Sequence, residues 1–120
     1  MTSRTDTVES RIACYGLADD ASQGRAHSEA MWSGLPPFEF DLRRVLCCAA
    51  FRRLQYKTQV LISPQDDHFR TRMTHTLEVA SLARLLAQAL DVNVALAEAV
   101  ALAHDLGHAP FGHAGEAALN

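Results

Sequence analysis

Apolar residues recur every three or four positions along the chain after residue 40, which is the spacing of one face of an α-helix. Pro36 and Pro37, in the stretch GLPPF, interrupt any helix that precedes them. Asp41 directly precedes the first apolar run, residues 42–60, and we expect its side chain to cap that helix. The positions that define the helical face of this run are Leu42, Val45, Leu46, Ala49 and Leu54.

The stretch THTLEVASLARLLAQAL, residues 74–90, gives the clearest helical pattern in the chain. Thr74 or Thr76 can cap this helix, because either hydroxyl can accept a hydrogen bond from a free N–H of the first turn. The apolar positions follow steps of four and three, and we expect them to face the core. The predicted core-facing stripe consists of His75, Val79, Leu82, Leu86 and Ala89.

The next helical stretch, VALAEAVALAHDL at residues 94–106, is apolar on nearly all sides and should therefore be buried. Asn93 is a good N-cap for this helix, and Gly107 is a suitable residue to end it. Only residues 91–93 separate it from the helix before. We therefore expect the two helices to run antiparallel.

The chain shows no sustained alternation of apolar and polar residues, so no β-strand is predicted. We expect an all-α fold with breaks near residues 58–71, 91–93 and 107–110. Residues 1–35 are polar with few apolar anchors, and they are expected to form a flexible or loosely docked N-terminal arm. Residues 36–120 are expected to form the helical domain.

Composition and charge narrow the class of protein. A length of 120 residues suits one small domain. The net charge of −3 gives no general electrostatic case for binding nucleic acid or an anionic membrane. No apolar run approaches the roughly 20 residues that span a bilayer. The three cysteines do not have the spacing of a disulfide framework, so a cytoplasmic location fits best.

Three of the six histidines lie in the segment ALAHDLGHAPFGHAGE. His104 and Asp105 are adjacent near the end of a predicted helix, where imidazole nitrogen and carboxylate oxygen can bind one divalent metal ion. An antiparallel helix pair would bring His75, at the head of the preceding helix, to the same point. Any one of these histidines alone is more simply interpreted as a hydrogen-bonded structural residue, but the convergence of three potential ligands favours a metal site.

His113 and Glu116 are three residues apart and therefore share a helix face, where a carboxylate can orient an imidazole for acid–base catalysis. Gly107, Gly112 and Gly115 would let a phosphate-bearing ligand approach the backbone. A tightly packed turn with surface histidines explains the same residues equally well. The residue pattern by itself leaves both interpretations open.

Three segments together resemble a known family. AFRRLQYKTQV, RTRMTHTLEVA and ALAHDLGHAPFGHAGEAALN are similar, in order and spacing, to the deoxyguanosine triphosphate triphosphohydrolases, which are dNTP hydrolases of the HD-domain superfamily. The resemblance covers residues 41–120 and implies an HD-domain helical core that is incomplete at its C-terminus. It also implies metal-dependent hydrolysis of a dGTP-like substrate to deoxynucleoside and inorganic triphosphate, with Mn²⁺, Mg²⁺ or a similar ion, and a homo-oligomeric full-length parent.

The resemblance further implies a role for each matching residue. His75, His104 and Asp105 match metal ligands. The fourth ligand of the family is a downstream aspartate without a counterpart here, which implies the N-terminal part of a longer enzyme, inactive by itself. The other matches are His113 and Glu116 as the catalytic pair, Arg72 as a triphosphate contact, Gln59 as a deoxyribose contact and His108 as a residue near the phosphates.

A different class of function stays open beside this one. The missing aspartate and the cations of residues 43–57 fit a non-catalytic fragment that binds a nucleotide or single-stranded nucleic acid, although the same cations fit a solvated helix face. Another HD-type nucleotide phosphohydrolase is a third hypothesis, and the KTQ and PFGHAGE matches argue against it. The cations in question are Arg43, Arg44, Arg52, Arg53 and Lys57.

Overall fold

A computed structural model of the chain describes residues 12–30, 34–57 and 71–107. Over this described part the regular structure is helical, without a β-strand, so the all-α prediction is confirmed there. The elements are four α-helices and two 3₁₀ turns. The helices are α1 (Pro37–Cys47), α2 (Ala49–Arg53), α3 (Arg72–Ala89) and α4 (Val94–Ala103), and the 3₁₀ turns are Asp19–Ala21 and Leu54–Tyr56.

Helices α3 and α4 form an antiparallel hairpin, as the short connection predicted. Arg84 in the second half of α3 donates to Glu98 in the middle of α4, with Nη1 and Oε2 2.6 Å apart. Arg72 at the start of α3 instead reaches Asp105, beyond the end of α4. Contacts that run in opposite directions along the two helices require antiparallel axes. Helix α1 packs against α4 and completes the bundle.

The connection between α3 and α4 turns within a few residues. Val92 N–H donates to Ala87 O at 3.0 Å, and Asp91 adopts φ +50, a left-handed conformation that Asp tolerates better than most residues. The side-chain oxygen of Asn93 accepts from Leu96 N–H at 2.9 Å. This confirms both the break predicted at 91–93 and Asn93 as the N-cap of α4.

The core lies where α3, α4 and the α1–α2 region meet. Leu54 and Leu102 are each only 1% exposed, and they are the largest side chains to be so completely buried. Alanines of α3 and α4 occupy much of the rest, and small side chains allow close helix packing. The core residues are Leu42, Phe51, Leu54, Ala80, Ala99, Ala101 and Leu102.

The predicted core-facing stripe of α3 is wrong at Leu82, Leu86 and Ala89, which are exposed, whereas Val79 packs against the core as predicted. Leu82 and Leu86 are 61% and 63% exposed. Helix α3 has two apolar faces about 100° apart, and periodicity does not tell which of them packs against α4. The face that packs carries the smaller side chains, and His75 is half-buried. The buried residues of α3 are Thr76, Ala80 and Ala87.

Helix α3 also begins three residues earlier than predicted. Thr71 is the N-cap, because its Oγ1 accepts from Thr74 N–H at 3.2 Å. Thr74 and Thr76, the predicted caps, both lie inside the helix. The earlier start places Arg72 in the first turn, one turn before Thr76 on the same side of the helix.

Asp41 does not cap α1, contrary to the prediction. Helix α1 begins at Pro37, and Phe38 N–H donates to Oδ1 of Asp19 at 3.1 Å. Asp41 lies within the helix and forms an ion pair with Arg25. A carboxylate 19 positions upstream therefore satisfies one of the free N–H groups of this helix end.

The single long helix predicted from residue 42 is interrupted at Cys48. The Cys48 backbone is extended, with ψ 151, and its Sγ accepts from Phe51 N–H at 3.3 Å, which caps α2. Cys14, Cys47 and Cys48 all carry free thiols.

Residues 13–19 lie against the turn between α3 and α4, whereas Arg25 and Glu29 pair with residues of α1. Ala13 N–H donates to Asp91 O at 2.6 Å, and Tyr15 O–H donates to Leu90 O at 2.8 Å. Asp19 is bound from both sides, because its other carboxylate oxygen accepts from Asn93 Nδ2 at 3.0 Å. This stretch of the predicted arm is therefore hydrogen-bonded to the helical body, while the boundary near residue 35 stays a prediction.

Candidate functional site

The start of α3 and the turn after α4 meet at one end of the hairpin. Helix α4 ends at Ala103, a few residues before the predicted end, and a turn continues to Gly107, which has φ +81. The rings of His75 and His104 lie edge to face, with centroids 6.0 Å apart and planes at 71°. The fold thus places two of the predicted ligands side by side, from elements 29 residues apart in sequence.

His104 is oriented by the backbone of the helix it follows. Its Nδ1 lies 2.6 Å from Ala101 O, and since a carbonyl oxygen only accepts, Nδ1 carries the hydrogen. The other ring nitrogen, Nε2, then has its lone pair available. A histidine whose second ring nitrogen donates to a backbone carbonyl is the usual arrangement of a metal ligand.

Asp105 is buried, with 7% of the residue exposed. Its Oδ1 accepts from Arg72 Nη1 at 3.0 Å, and the two side chains are only 9% and 15% exposed. Its Oδ2 is buried too and has no hydrogen-bond partner among the described residues. An unsatisfied buried acceptor costs about 1–3 kcal/mol, so this oxygen is suited to bind a cation.

The donor types at this end of the hairpin fit a divalent metal ion, although they are not assembled around one point. Within residues 12–30, 34–57 and 71–107, no group of three His, Cys, Asp or Glu side chains stands close enough to hold a metal ion. The structure brings His75 to His104 and joins Asp105 to Arg72. The assignment of His75, His104 and Asp105 as ligands therefore stays a prediction.

Four of the predicted site residues lie outside the described residues, and their roles also stay predictions. These are Gln59, His108, His113 and Glu116. Arg72, predicted as a triphosphate contact, is described, and the structure places its guanidinium on Asp105. Sequence reasoning missed this ion pair, because the two residues are 33 positions apart and only the antiparallel hairpin joins them.

Thr76 is a second residue that sequence reasoning placed wrongly. It was one of two suggested caps, yet it is fully buried and its Oγ1 lacks a hydrogen-bond partner among the described residues. Thr76 lies one helical turn after Arg72, on the same side of α3. In the sequence, the feature that could have drawn attention to Thr76 is its position next to His75, a predicted ligand.

Two of the four arginines of α1 and α2 contact other groups of the chain. Arg44 pairs with Glu29, and Arg52 Nη1 donates to Cys47 O at 2.7 Å. These contacts agree with the interpretation of a solvated helix face. Among the described residues, no helix combines the length and the apolar character that crossing a bilayer requires.

Comparison with known protein families finds a match over the part of the chain that contains this end of the hairpin. The family model described as HD domain matches residues 72–120, a range that begins at Arg72 and contains His75, His104 and Asp105. Residues 72–120 are therefore similar to an HD domain.

Several relatives with the same name match nearly the whole chain. The chain is 54% identical over 115 residues to a deoxyguanosinetriphosphate triphosphohydrolase-like protein of Azoarcus sp. (strain BH72), covering 96% of this chain and 30% of that protein. Similarly named proteins of Geobacter metallireducens and Caldanaerobacter subterraneus subsp. tengcongensis are 49% and 54% identical over 97% of this chain. The chain is therefore similar to deoxyguanosinetriphosphate triphosphohydrolase-like proteins over nearly all of its own length, and it spans about a third of the length of these relatives.

Proposed function

We propose that this chain is the N-terminal part of a metal-dependent enzyme that hydrolyses a dGTP-like deoxynucleoside triphosphate to deoxynucleoside and inorganic triphosphate. The observation that carries the proposal is the buried Asp105 carboxylate. Within the described part of the chain, one of its oxygens has no hydrogen-bond partner, and Asp105 directly follows His104, whose ring lies against that of His75. The HD-domain match over these residues and the names of the relatives support the reaction class.

In this proposal His75, His104 and Asp105 hold the metal ion, with His104 binding through Nε2. A divalent cation, when bound, supplies Lewis-acid stabilisation of the negative charge that develops on phosphate oxygens. Arg72 holds phosphate oxygens through its guanidinium, whose fixed donors suit them. Gln59 contacts the deoxyribose, and His108 lies near the phosphates.

The proton transfers are assigned to His113 and Glu116. Water attacks the α-phosphorus, the bond from that phosphorus to O5′ breaks, and O5′ takes up a proton to leave as the deoxynucleoside hydroxyl. His113 moves the proton, and Glu116 orients the imidazole. The longer parent is proposed to be a cytoplasmic homo-oligomer.

A chimeric protein tests the proposed function. The segment of the Azoarcus relative that aligns with this chain is replaced by residues 1–120, since the two are 54% identical. With Mn²⁺ or Mg²⁺ the chimera should release deoxyguanosine and triphosphate from dGTP, and the 120-residue chain alone should not. His104→Ala in the chimera is the control and should remove both bound metal and activity.

The outcomes separate the competing hypotheses. A folded chimera that binds dGTP or single-stranded nucleic acid without hydrolysis, while the unmodified relative is active, would favour the non-catalytic alternative. Release of a single phosphate, or hydrolysis of monophosphates or cyclic nucleotides, would favour another HD-type phosphohydrolase.

A further inference from the structure

The guanidinium of Arg72 is held inside the protein and does not face solvent. Arg72 Nη1 donates to Asp105 Oδ1 at 3.0 Å, and both side chains are mostly buried. Each charge compensates the other, because a buried charge without a partner is strongly unfavourable. Arg72 therefore sits where its binding to a phosphate would require a change in this pair.

Among the described residues, Asp105 is the only carboxylate that pairs with Arg72. A divalent cation on the free Oδ2 would bring two further positive charges next to the guanidinium, in surroundings that screen charges poorly. One carboxylate cannot neutralise both cations. The Arg72–Asp105 pair should weaken, and the guanidinium would then need another anion.

We propose that Arg72 is the resident counter-ion of Asp105, and that a divalent cation binding at Asp105 opens this pair and releases the guanidinium for a phosphate. This inference rests on the proposed function, because it assumes that Asp105 binds the cation. Cation binding and phosphate binding then favour each other, because both depend on the position of the Arg72 side chain. The two ligands are thus linked by a coupling free energy. Phosphate therefore binds more tightly when the metal site is filled.

Chemical modification of the wild-type chain tests the release directly. Phenylglyoxal modifies accessible arginines, and peptide mass spectrometry reads Arg72 and Arg84 in the same sample. Arg84 is the internal control, because it also lies on α3 and pairs with a carboxylate of α4, but at a half-exposed position. With EDTA, Arg72 should react more slowly than Arg84. With Mn²⁺, the rate at Arg72 should rise about fivefold or more, the lower range of common couplings, and the rate at Arg84 should not change.

Manganese affinity gives the reciprocal measurement. Arg72→Gln removes the competing cation, so the 120-residue chain carrying it should bind Mn²⁺ about five- to tenfold more tightly than wild type by calorimetry. Arg84→Gln is the matched control and should leave the affinity unchanged. Asp105→Asn added to Arg72→Gln should abolish the gain. Circular dichroism verifies that each variant is folded.

Two results would overturn the inference. One is a modification rate at Arg72 that Mn²⁺ leaves unchanged, and this readout needs only the wild-type chain. The other is an Arg72→Gln variant that binds Mn²⁺ no more tightly than wild type. Undetectable Mn²⁺ binding by both proteins would count as the same result. Neither measurement involves hydrolysis, so loss of activity in the chimera would contradict the proposed function without deciding this inference.

Discussion

Asp19 and Asn93 are bound side chain to side chain, with Asn93 Nδ2 donating to Asp19 Oδ2 at 3.0 Å across 74 positions of sequence. Asn93 is at the same time the N-cap of α4. The other oxygen of Asp19 accepts from Phe38 N–H at the start of α1. One carboxylate thus joins the beginnings of two helices.

Replacing Asp19 should consequently destabilise the fold more than an ordinary surface change. Asp19→Ala removes a helix-end acceptor and the partner of Asn93, and we expect a loss of about 1–3 kcal/mol in the free energy of unfolding. Asp20→Ala is the matched control, because Asp20 is adjacent, acidic and exposed. Urea denaturation followed by circular dichroism measures both. Equal effects of the two variants would show that Asp19 does not link the helices.

The two leucine environments of the hairpin predict unequal effects of the same substitution. Leu102→Ala should cost about 2–5 kcal/mol, because it removes a fully buried side chain from the core. Leu86→Ala should change the stability of the 120-residue chain by less than about 0.5 kcal/mol, because Leu86 is largely exposed. Thermal unfolding measures the stability of both variants. A large loss of stability in Leu86→Ala would mean that Leu86 is packed against other residues in solution.

The leucines also show where sequence reasoning about the fold succeeds and fails. Helical periodicity and a short polar connection were enough to predict the antiparallel hairpin and the Asn93 cap, since both depend on neighbours in sequence. The packed face of α3 was predicted wrongly, because that helix carries two apolar faces. Asp41 was predicted wrongly as a cap, because the carboxylate that binds Phe38 N–H comes from Asp19, a contact between separate segments.

In the candidate site too, contacts that follow from the helix arrangement could be predicted, and contacts that depend on the full fold could not. That His75 and His104 lie together follows from antiparallel helices, and it could be predicted. The partner of Arg72 could not be predicted, because the sequence does not show which carboxylate the guanidinium contacts in the folded chain. The roles of the residues after Gly107 depend on positions outside the described part of the chain, and they stay predictions.

Breaking the Arg72–Asp105 pair should destabilise the fold far more than breaking the Arg84–Glu98 pair of the same hairpin. Arg72→Gln leaves a buried carboxylate unpaired, so we expect a loss of about 3–5 kcal/mol in the free energy of unfolding. Arg84→Gln removes a half-exposed pair with Glu98 and should cost at most about 1 kcal/mol. Denaturation in EDTA compares the two variants. A similar small loss in both would mean that Asp105 is hydrated in solution and not held by Arg72.

Adding Mn²⁺ should reverse part of the Arg72→Gln loss. An ion that binds the folded chain and not the unfolded one raises its stability, and the tighter it binds the larger the rise. The melting temperature of Arg72→Gln should therefore increase with Mn²⁺ more than that of wild type. Asp105→Asn supplies the control, since without the carboxylate Mn²⁺ should give no rise, and a rise of the same size there would place the bound ion elsewhere.

The catalytic assignment is tested in the chimera. His113→Ala should lower kcat by about 10²- to 10⁴-fold, the usual contribution of a general acid or base, while the metal content stays nearly intact, because His113 is not a proposed ligand. Glu116→Ala should also lower kcat, and the double variant should lose little more than His113→Ala alone, since the carboxylate acts through the imidazole that it orients. Steady-state kinetics with dGTP and metal analysis of the same preparations separate these roles. Activity that survives His113→Ala unchanged would make PFGHAGE a packing segment, and the proton transfer would then have to come from another group.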